Sequence, residues 1–346
     1  MTLSASFLDQ LNATADSLTD RLERFSQVRI LVAGDLALDE FMTGQVERLS
    51  REAPVLILRH ESTRQIPGGA ANAVYNFAKL GAQVRVAGLV GKDDQGEALR
   101  RIFTEAGIDT GGIFTDPGRP TVTKTRISGH ARQSVTQQIV RVDRKSDDLP
   151  DPELRERLAE YIRAQTDAVD GVVCSDYGDG VLTPPVIDAA LSHSQTVVDA
   201  QIDLHRYGGA TLFTPNVPEA EKAVGYAIAD EDSLRRAGGD LLNLTGAKRI
   251  LITRGEEGMS LFERDAENTV QMDPIPAFNR TDVFDVTGAG DTVVAALTLA
   301  LCSGASFWEA AVLGNLAASL VVRQFGTATT STTEMREALR SLLEGE

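Results

Sequence analysis

Residues 28–34 read Val-Arg-Ile-Leu-Val-Ala-Gly, an apolar run with one arginine near its start. Such a run predicts a strand covered on both faces. Similar runs recur at 84–91, 171–175, 196–199, 211–214 and 249–253. Helical patterns at 70–80, 94–106, 152–166, 184–192, 217–224 and 233–245 alternate with them, and the apolar stretches 291–302 and 306–324 predict two further helices. Strand alternating with helix predicts βαβ units, hence an α/β fold with a mainly parallel sheet and helices on both faces. Near the N-terminus, Phe7, Leu8, Leu11, Leu18, Leu22 and Phe25 fall at roughly helical spacing. This predicts a helical extension over 1–27 that packs on the body, 28–346, or on a partner.

Two segments break the alternation. Residues 45–65 hold Pro54 and the β-rich run Val55-Leu56-Ile57-Leu58. Residues 121–142 hold two β-rich runs around a turn containing Gly129. Both read as strands of a small separate sheet, a lid built from about 41–66 and 119–143. The edges of a small exposed sheet need cover. Pairing with a second copy would supply it, so a homodimer through the lid is expected.

Charge narrows the function. The net charge of −16 argues against nucleic acid as a partner, because a phosphate backbone requires a basic face. An anionic substrate would need a local basic pocket. Cys174 and Cys302 sit in apolar surroundings and read as free thiols. His60, His130, His193 and His205 show no ligand spacing. Residues 1–27 do not read as a signal peptide, and no apolar run is long enough to span a membrane. A cytoplasmic enzyme or binding protein is expected, with no membrane partner.

The candidate chemistry gathers at strand ends and helix starts. Asp285-Val286-Thr287-Gly288-Ala289-Gly290-Asp291-Thr292 opens an apolar helix. Gly288 and Gly290 permit a tight turn, the first N–H groups of the helix suit an anion, and Asp291 is placed to take a proton from a hydroxyl. The same octapeptide is also compatible with a plain glycine turn in which Asp291 caps the helix. Asp35 and Asp39 follow the first strand, at the edge where α/β sheets collect ligands, and suit a polyol. Pro67-Gly68-Gly69-Ala70-Ala71-Asn72 allows close backbone approach, with Asn72 able to bond a sugar hydroxyl. Asn216 and Glu219 stand three apart at a helix start. That pair suits Mg²⁺ held by few protein oxygens, or equally a capping box. Thr253-Arg254-Gly255-Glu256-Glu257-Gly258 follows another strand and could line a nucleotide, or could be a hairpin turn.

Together these motifs resemble the ribokinase-like (PfkB-type) carbohydrate kinases over about 28–335. Residues 285–291 are similar to that family's C-terminal signature, 67–72 to its glycine signature and 216–219 to its magnesium-associated motif. Within the family the chain most resembles the D-glycero-β-D-manno-heptose 7-phosphate kinases, also found as one half of bifunctional ADP-heptose synthases. The resemblance rests on 48–55, 123–126, 138–143, Ser175-Asp176-Tyr177 and 207–216, with Gly34-Asp35 and Leu38-Asp39.

The resemblance implies a three-layer α/β/α kinase with a small β lid, using ATP, Mg²⁺ and, in many members, a monovalent cation. It implies Asp291 as general base and an anion hole at Gly288, Ala289 and Gly290. Asp35, Asp39, Gly68, Gly69 and Asn72 would hold the sugar, and Lys124, Arg126 and Arg141 its phosphate. Thr253, Arg254, Gly255, Gly258 and Asn315 would hold the nucleotide, with the metal arranged through Asn216 and Glu219. Two positions depart from the heptose kinases: Asp179 and Gln201 stand where those carry lysine. The alternatives are a kinase for a different sugar, or a catalytically silent sugar- or nucleotide-binding homologue. A dinucleotide oxidoreductase is set aside, since Gly34-Asp35-Leu36-Ala37 is no Gly-x-Gly-x-x-Gly turn.

Overall fold

Each strand of the large sheet divides its apolar residues between two cores. The first strand, β1 (Arg29–Gly34), sends Ile30 and Val32 to one core and Leu31 and Ala33 to the other. Side chains alternate with period two along a strand, so an all-apolar run feeds both faces at once. A computed structural model describes residues 4–131, 136–279, 283, 285–324 and 326–344.

The remaining strands, in chain order, are β2 (Leu36–Leu49), β3 (Leu56–Gly69), β4 (Gln83–Gly91), β5 (Asp109–Asp116), β6 (Val122–His130), β7 (Gln137–Arg144), β8 (Gly171–Asp176), β9 (Thr196–Ala200), β10 (Leu212–Phe213), β11 (Arg249–Thr253), β12 (Met259–Arg264) and β13 (Val270–Ile275). The helices are α1 (Ala5–Arg24), α2 (Ala70–Lys79), α3 (Asp94–Glu105), α4 (Pro152–Gln165), α5 (Pro184–Leu191), α6 (Val217–Val224), α7 (Glu231–Thr245), α8 (Ala289–Cys302), α9 (Phe307–Val321) and α10 (Thr332–Glu344).

The large sheet runs β13-β12-β11-β10-β9-β8-β1-β4-β5. It is parallel except that β12 pairs antiparallel with both β11 and β13. Residues of α1, α2, α3, α8, α9 and α10 join one core, and residues of α4, α5, α6 and α7 the other. The predicted layers are therefore present. A second sheet, β3-β2-β6-β7, forms the small lid. It grows directly from the large one: β2 begins two residues after β1 ends, and β3 returns the chain to Gly69, against Leu36, where α2 starts.

Of the fourteen-residue β2 only the lid end, from about residue 41, was read from the sequence, and β5 and α10 were not. Buried Asp39 and Glu40 interrupt the apolar pattern of β2 at the point where it leaves the core for the lid. The expected N-terminal extension is α1, which packs on the body. Leu11, Leu18 and Leu22 are buried, the Phe7 ring lies 5.9 Å from Phe278 and 5.6 Å from Trp308, and Arg21 donates to the Ser303 carbonyl at 2.6 Å. Cys174 and Cys302 are free thiols, both pushed up to about 12 by burial. Among the described residues, no helix is long and apolar enough to cross a membrane.

Candidate active site

The start of α8 fixes the centre of the site. Gly288 caps this helix at φ 78°, a left-handed conformation that costs glycine little. Asp291 follows in the first turn, only 4% exposed. Asn72, from α2, donates to its Oδ2 at 2.6 Å, and the Tyr177 hydroxyl, just past β8, donates to its Oδ1 at 3.0 Å. Burial pushes the Asp291 carboxyl up to about 6. The two hydrogen bonds pull it back, nearby Asp39 raises it and Lys124 lowers it. A carboxylate in that range is ionised at neutral pH yet basic enough to take a proton during reaction.

Two cavities meet at this helix start. The first, of about 310 Å³, is polar and is walled on the lid side by Asp39, Lys124 and Arg126. The register of the lid sheet explains the grouping. Asp39 lies opposite Lys124 and Phe41 opposite Arg126, so the four residues share one face. Arg126 pairs with Asp39 at 2.8 Å and stacks over Phe41 at 5.2 Å. The Lys124 ammonium lies 5.7 Å from the centre of the Tyr177 ring. The second cavity, of about 480 Å³, is largely apolar, with Ala277, Phe278, Val283 and Val293 in its wall. Thr253 and Gly290 border both cavities.

Most of the expected residues come together here. Asp39, Gly68, Gly69, Asn72, Lys124, Arg126, Asn216, Glu219, Gly288, Gly290 and Asp291 line the first cavity. Thr253, Gly255, Gly258, Ala289 and Asn315 line the second. The Ala289 N–H already donates to the Val286 carbonyl at 3.2 Å. Asn216 and Glu219 do form the capping box: the Glu219 N–H donates to Asn216 Oδ1 and the Asn216 N–H to Glu219 Oε2, each at 2.9 Å. They also face the first cavity, so the two readings of that pair coexist.

Three expected residues, Asp35, Arg141 and Arg254, line neither of these cavities. Asp35 does not line the cavity. Its Oδ2 accepts the N–H groups of Tyr177 and Asp179, and its Oδ1 that of Val181. It therefore organises the loop after β8, and burial beside Asp176 pushes it up to about 7. Arg141 shares the Arg126 face of the lid but is exposed and paired with Asp143 at 2.6 Å. Arg254 turns away to Glu257 and to Ser260 Oγ. A strand-end aspartate or a lid arginine looks the same in sequence whether it meets a ligand or its own backbone and neighbours. Of the two departures from the heptose kinases, Gln201 faces the first cavity, whereas Asp179 borders a separate small cavity and gives its N–H to Asp35.

The sequence reading missed several cavity residues: Tyr177, Asp199, Thr214 and Thr327. The first three follow or end strands β8, β9 and β10, so the strand-end rule that singled out Asp39 would have found them. Asp199 is pushed up to about 8, first by burial and then by Asp291 and Glu219. Glu219 is raised by burial as well. Acids crowded in this way with little positive charge between them suit a hard divalent cation. Among the described residues, no three or more His, Cys, Asp or Glu side chains converge as a metal cage. Asn216 and Glu219, which both line the first cavity, carry oxygen atoms of the kind Mg²⁺ takes.

A buried carboxylate at a helix start, with a polar cavity on one side and an apolar one on the other, is an arrangement that suits phosphoryl transfer to a polar acceptor. Residues 35–334 match the pfkB family carbohydrate kinase model, and the chain belongs to that family. Family membership implies ATP with Mg²⁺. The chain is 42% identical over 329 residues to the Bifunctional protein HldE of Pelobacter propionicus, covering 93% of this chain and 65% of that protein. It is 45% identical over 314 residues to the HldE of Geobacter metallireducens, covering 89% and 62%. The chain thus spans a little under two thirds of these relatives. The fold is ribokinase-like. Escherichia coli phosphofructokinase-2 in complex with potassium aligns with a TM-score of 0.72 at 21% identity, over 92% of this chain and 99% of that one. Arabidopsis thaliana ribokinase complexed with ribose and ATP aligns at 0.68 and 17%, over 92% and 99%.

Proposed function

We propose that the chain transfers the γ-phosphoryl group of ATP to a sugar-phosphate hydroxyl, the acceptor being D-glycero-β-D-manno-heptose 7-phosphate and the hydroxyl that on its C1. The observation that carries this reading is the position of Asp291, buried and basic where the two cavities meet. Adenosine fits the apolar cavity beside Asn315 and the acceptor fits the polar one. The acceptor oxygen attacks the γ-phosphorus while Asp291 takes its proton, and the bond to the β-phosphate oxygen breaks to release ADP. The backbone N–H groups of Gly288 and Gly290 stabilise the charge on the moving phosphoryl, that of Ala289 being held by the Val286 carbonyl. Mg²⁺, when bound, neutralises phosphate charge. Lys124 and Arg126 are the lid cations that meet the acceptor phosphate. The resemblance to HldE favours a heptose phosphate, and Gln201 leaves the cavity wall neutral where the heptose kinases carry a lysine. A monovalent cation and a dimer joined through the lid belong to the same reading.

Asp291→Asn is expected to lower kcat/KM about 10²–10⁴-fold with the melting temperature retained. Near wild-type turnover would remove Asp291 as the base. A panel of heptose 7-phosphate, unphosphorylated heptose, ribose and fructose 6-phosphate tests the acceptor. Turnover confined to an unphosphorylated sugar would overturn the sugar-phosphate assignment. Ligand binding with no turnover would favour the silent homologue.

A further inference from the structure

Behind Asp291 the buried polar side chains form one connected chain whose direction is fixed by a backbone group. The Asn72 carbonyl can only accept, and Asn76 Nδ2 donates to it at 2.9 Å. The amide of Asn76 is thereby oriented, and its Oδ1 must face the Thr292 hydroxyl, which donates to it at 2.9 Å. The same Nδ2 reaches Asn72 Oδ1 at 3.3 Å. With its oxygen turned to Asn76, Asn72 can offer Asp291 only its NH₂ group, which donates at 2.6 Å. A flipped Asn72 would set two oxygens against each other at that distance. The Tyr177 hydroxyl holds the opposite carboxylate oxygen at 3.0 Å. Asn72, Asn76, Asp291 and Thr292 are each no more than 4% exposed, so water does not compete for these groups.

We infer that Tyr177 and the chain Thr292–Asn76–Asn72 are positioning residues, which hold the Asp291 carboxylate ionised and turned toward the acceptor. The inference rests on Asp291 being the base. Each carboxylate oxygen receives one donor from the protein and keeps lone-pair capacity for the acceptor hydroxyl. The charged groups facing the carboxyl are Asp39 from β2, Lys124 from β6 and Asp199 from β9, with Glu219 of α6 acting on Tyr177. Asp39 disfavours the ionised form, which makes the two donors and Lys124 its support.

The test follows the Asp291 carboxyl by ¹³C NMR, its signal assigned as the one lost in Asp291→Asn. In wild type the midpoint is expected at about pH 6. In Tyr177→Phe it should rise by about one pH unit, and the acid limb of kcat/KM should rise with it. Thr292→Val should move the midpoint in the same direction and lower kcat, and Thr292→Ser should restore both. An unmoved midpoint in Tyr177→Phe overturns the inference, even where Asp291→Asn is inactive. A midpoint that moves in Tyr177→Phe while Asp291→Asn keeps full turnover leaves the hydrogen-bond chain in place and overturns the base assignment instead.

Discussion

At Gly290, among the described residues and apart from its own helix turn, no heavy atom lies within 4 Å of where a β-carbon would stand, although the residue sits in the first turn of α8. Two residues earlier, Gly288 requires φ 78°, and a β-carbon there would meet Asn72 Nδ2 at 2.6 Å. The two glycines of one motif are thus needed for different reasons: Gly288 for backbone shape, Gly290 for empty space shared by both cavities. Gly290→Ala should fold normally, with stability changed by no more than about 1 kcal/mol, since alanine favours a helix over glycine. Its kcat/KM should fall about 100-fold on the proposed reading, in which the phosphoryl group meets its donors beside Gly290. Wild-type kinetics in that variant would mean that the group passes elsewhere. Gly288→Ala should lose stability as well as turnover. Spacing revealed both glycines in the sequence but not this division of labour, which depends on Asn72, more than two hundred residues away. Asp35 and Asp39 teach the same lesson. Both follow β1, yet one is enclosed by three backbone N–H groups and the other opens on the cavity.

Among the elements, β7 differs from every strand of the large sheet in having no buried residue. Ile139 is 42% exposed, Val140 45% and Val142 51%, and they fall on both faces of the strand. Leu49, Val55 and Leu56, near the β2–β3 turn, are also exposed. A free edge strand with apolar side chains on both faces invites pairing. The proposed dimer covers it. Light scattering should give twice the chain mass for wild type and a single mass for Ile139→Asp/Val140→Asp. A monomeric wild type at assay concentration would sink the pairing. The large sheet was legible because its strands are continuous apolar runs serving two cores. The lid strands were legible only in part: β6 and β7 carry regular β-rich runs, whereas β2 mixes Asp39, Glu40 and Gly44 with its apolar positions as it passes from core to lid. The helix α10 carries a one-sided apolar pattern on which Met335 and Leu339 are buried, and the sequence reading passed over it.

Taken whole, the molecule carries a net charge of −16 and buries several of its acids around one site. The sequence could give that total but not the burial, which only the meeting of β1, β8, β9 and α8 creates. Asp35 is pushed up to about 7, Asp199 to about 8 and Asp291 to about 6, burial being the first cause for each. All three lie above the ordinary aspartate value of 3.8. Between about pH 4 and about pH 8 the folded chain therefore binds more protons at these groups than the unfolded chain does. Where the folded state holds the extra protons, stability falls as pH rises. Their contribution is complete below about pH 4 and is lost as pH climbs through 6, 7 and 8. The melting temperature, measured without divalent cations at fixed ionic strength, should accordingly decline from about pH 6 to about pH 8. Asp199→Asn should flatten the upper part of that decline, because the amide carries no proton to lose. Mg²⁺ should raise the melting temperature more at about pH 8 than at about pH 6, since it replaces the missing protons with positive charge beside Asn216 and Glu219. A melting temperature that climbs across the same interval would show that these carboxyls ionise freely in the folded protein, and the basic character assigned to Asp291 would lose its physical cause.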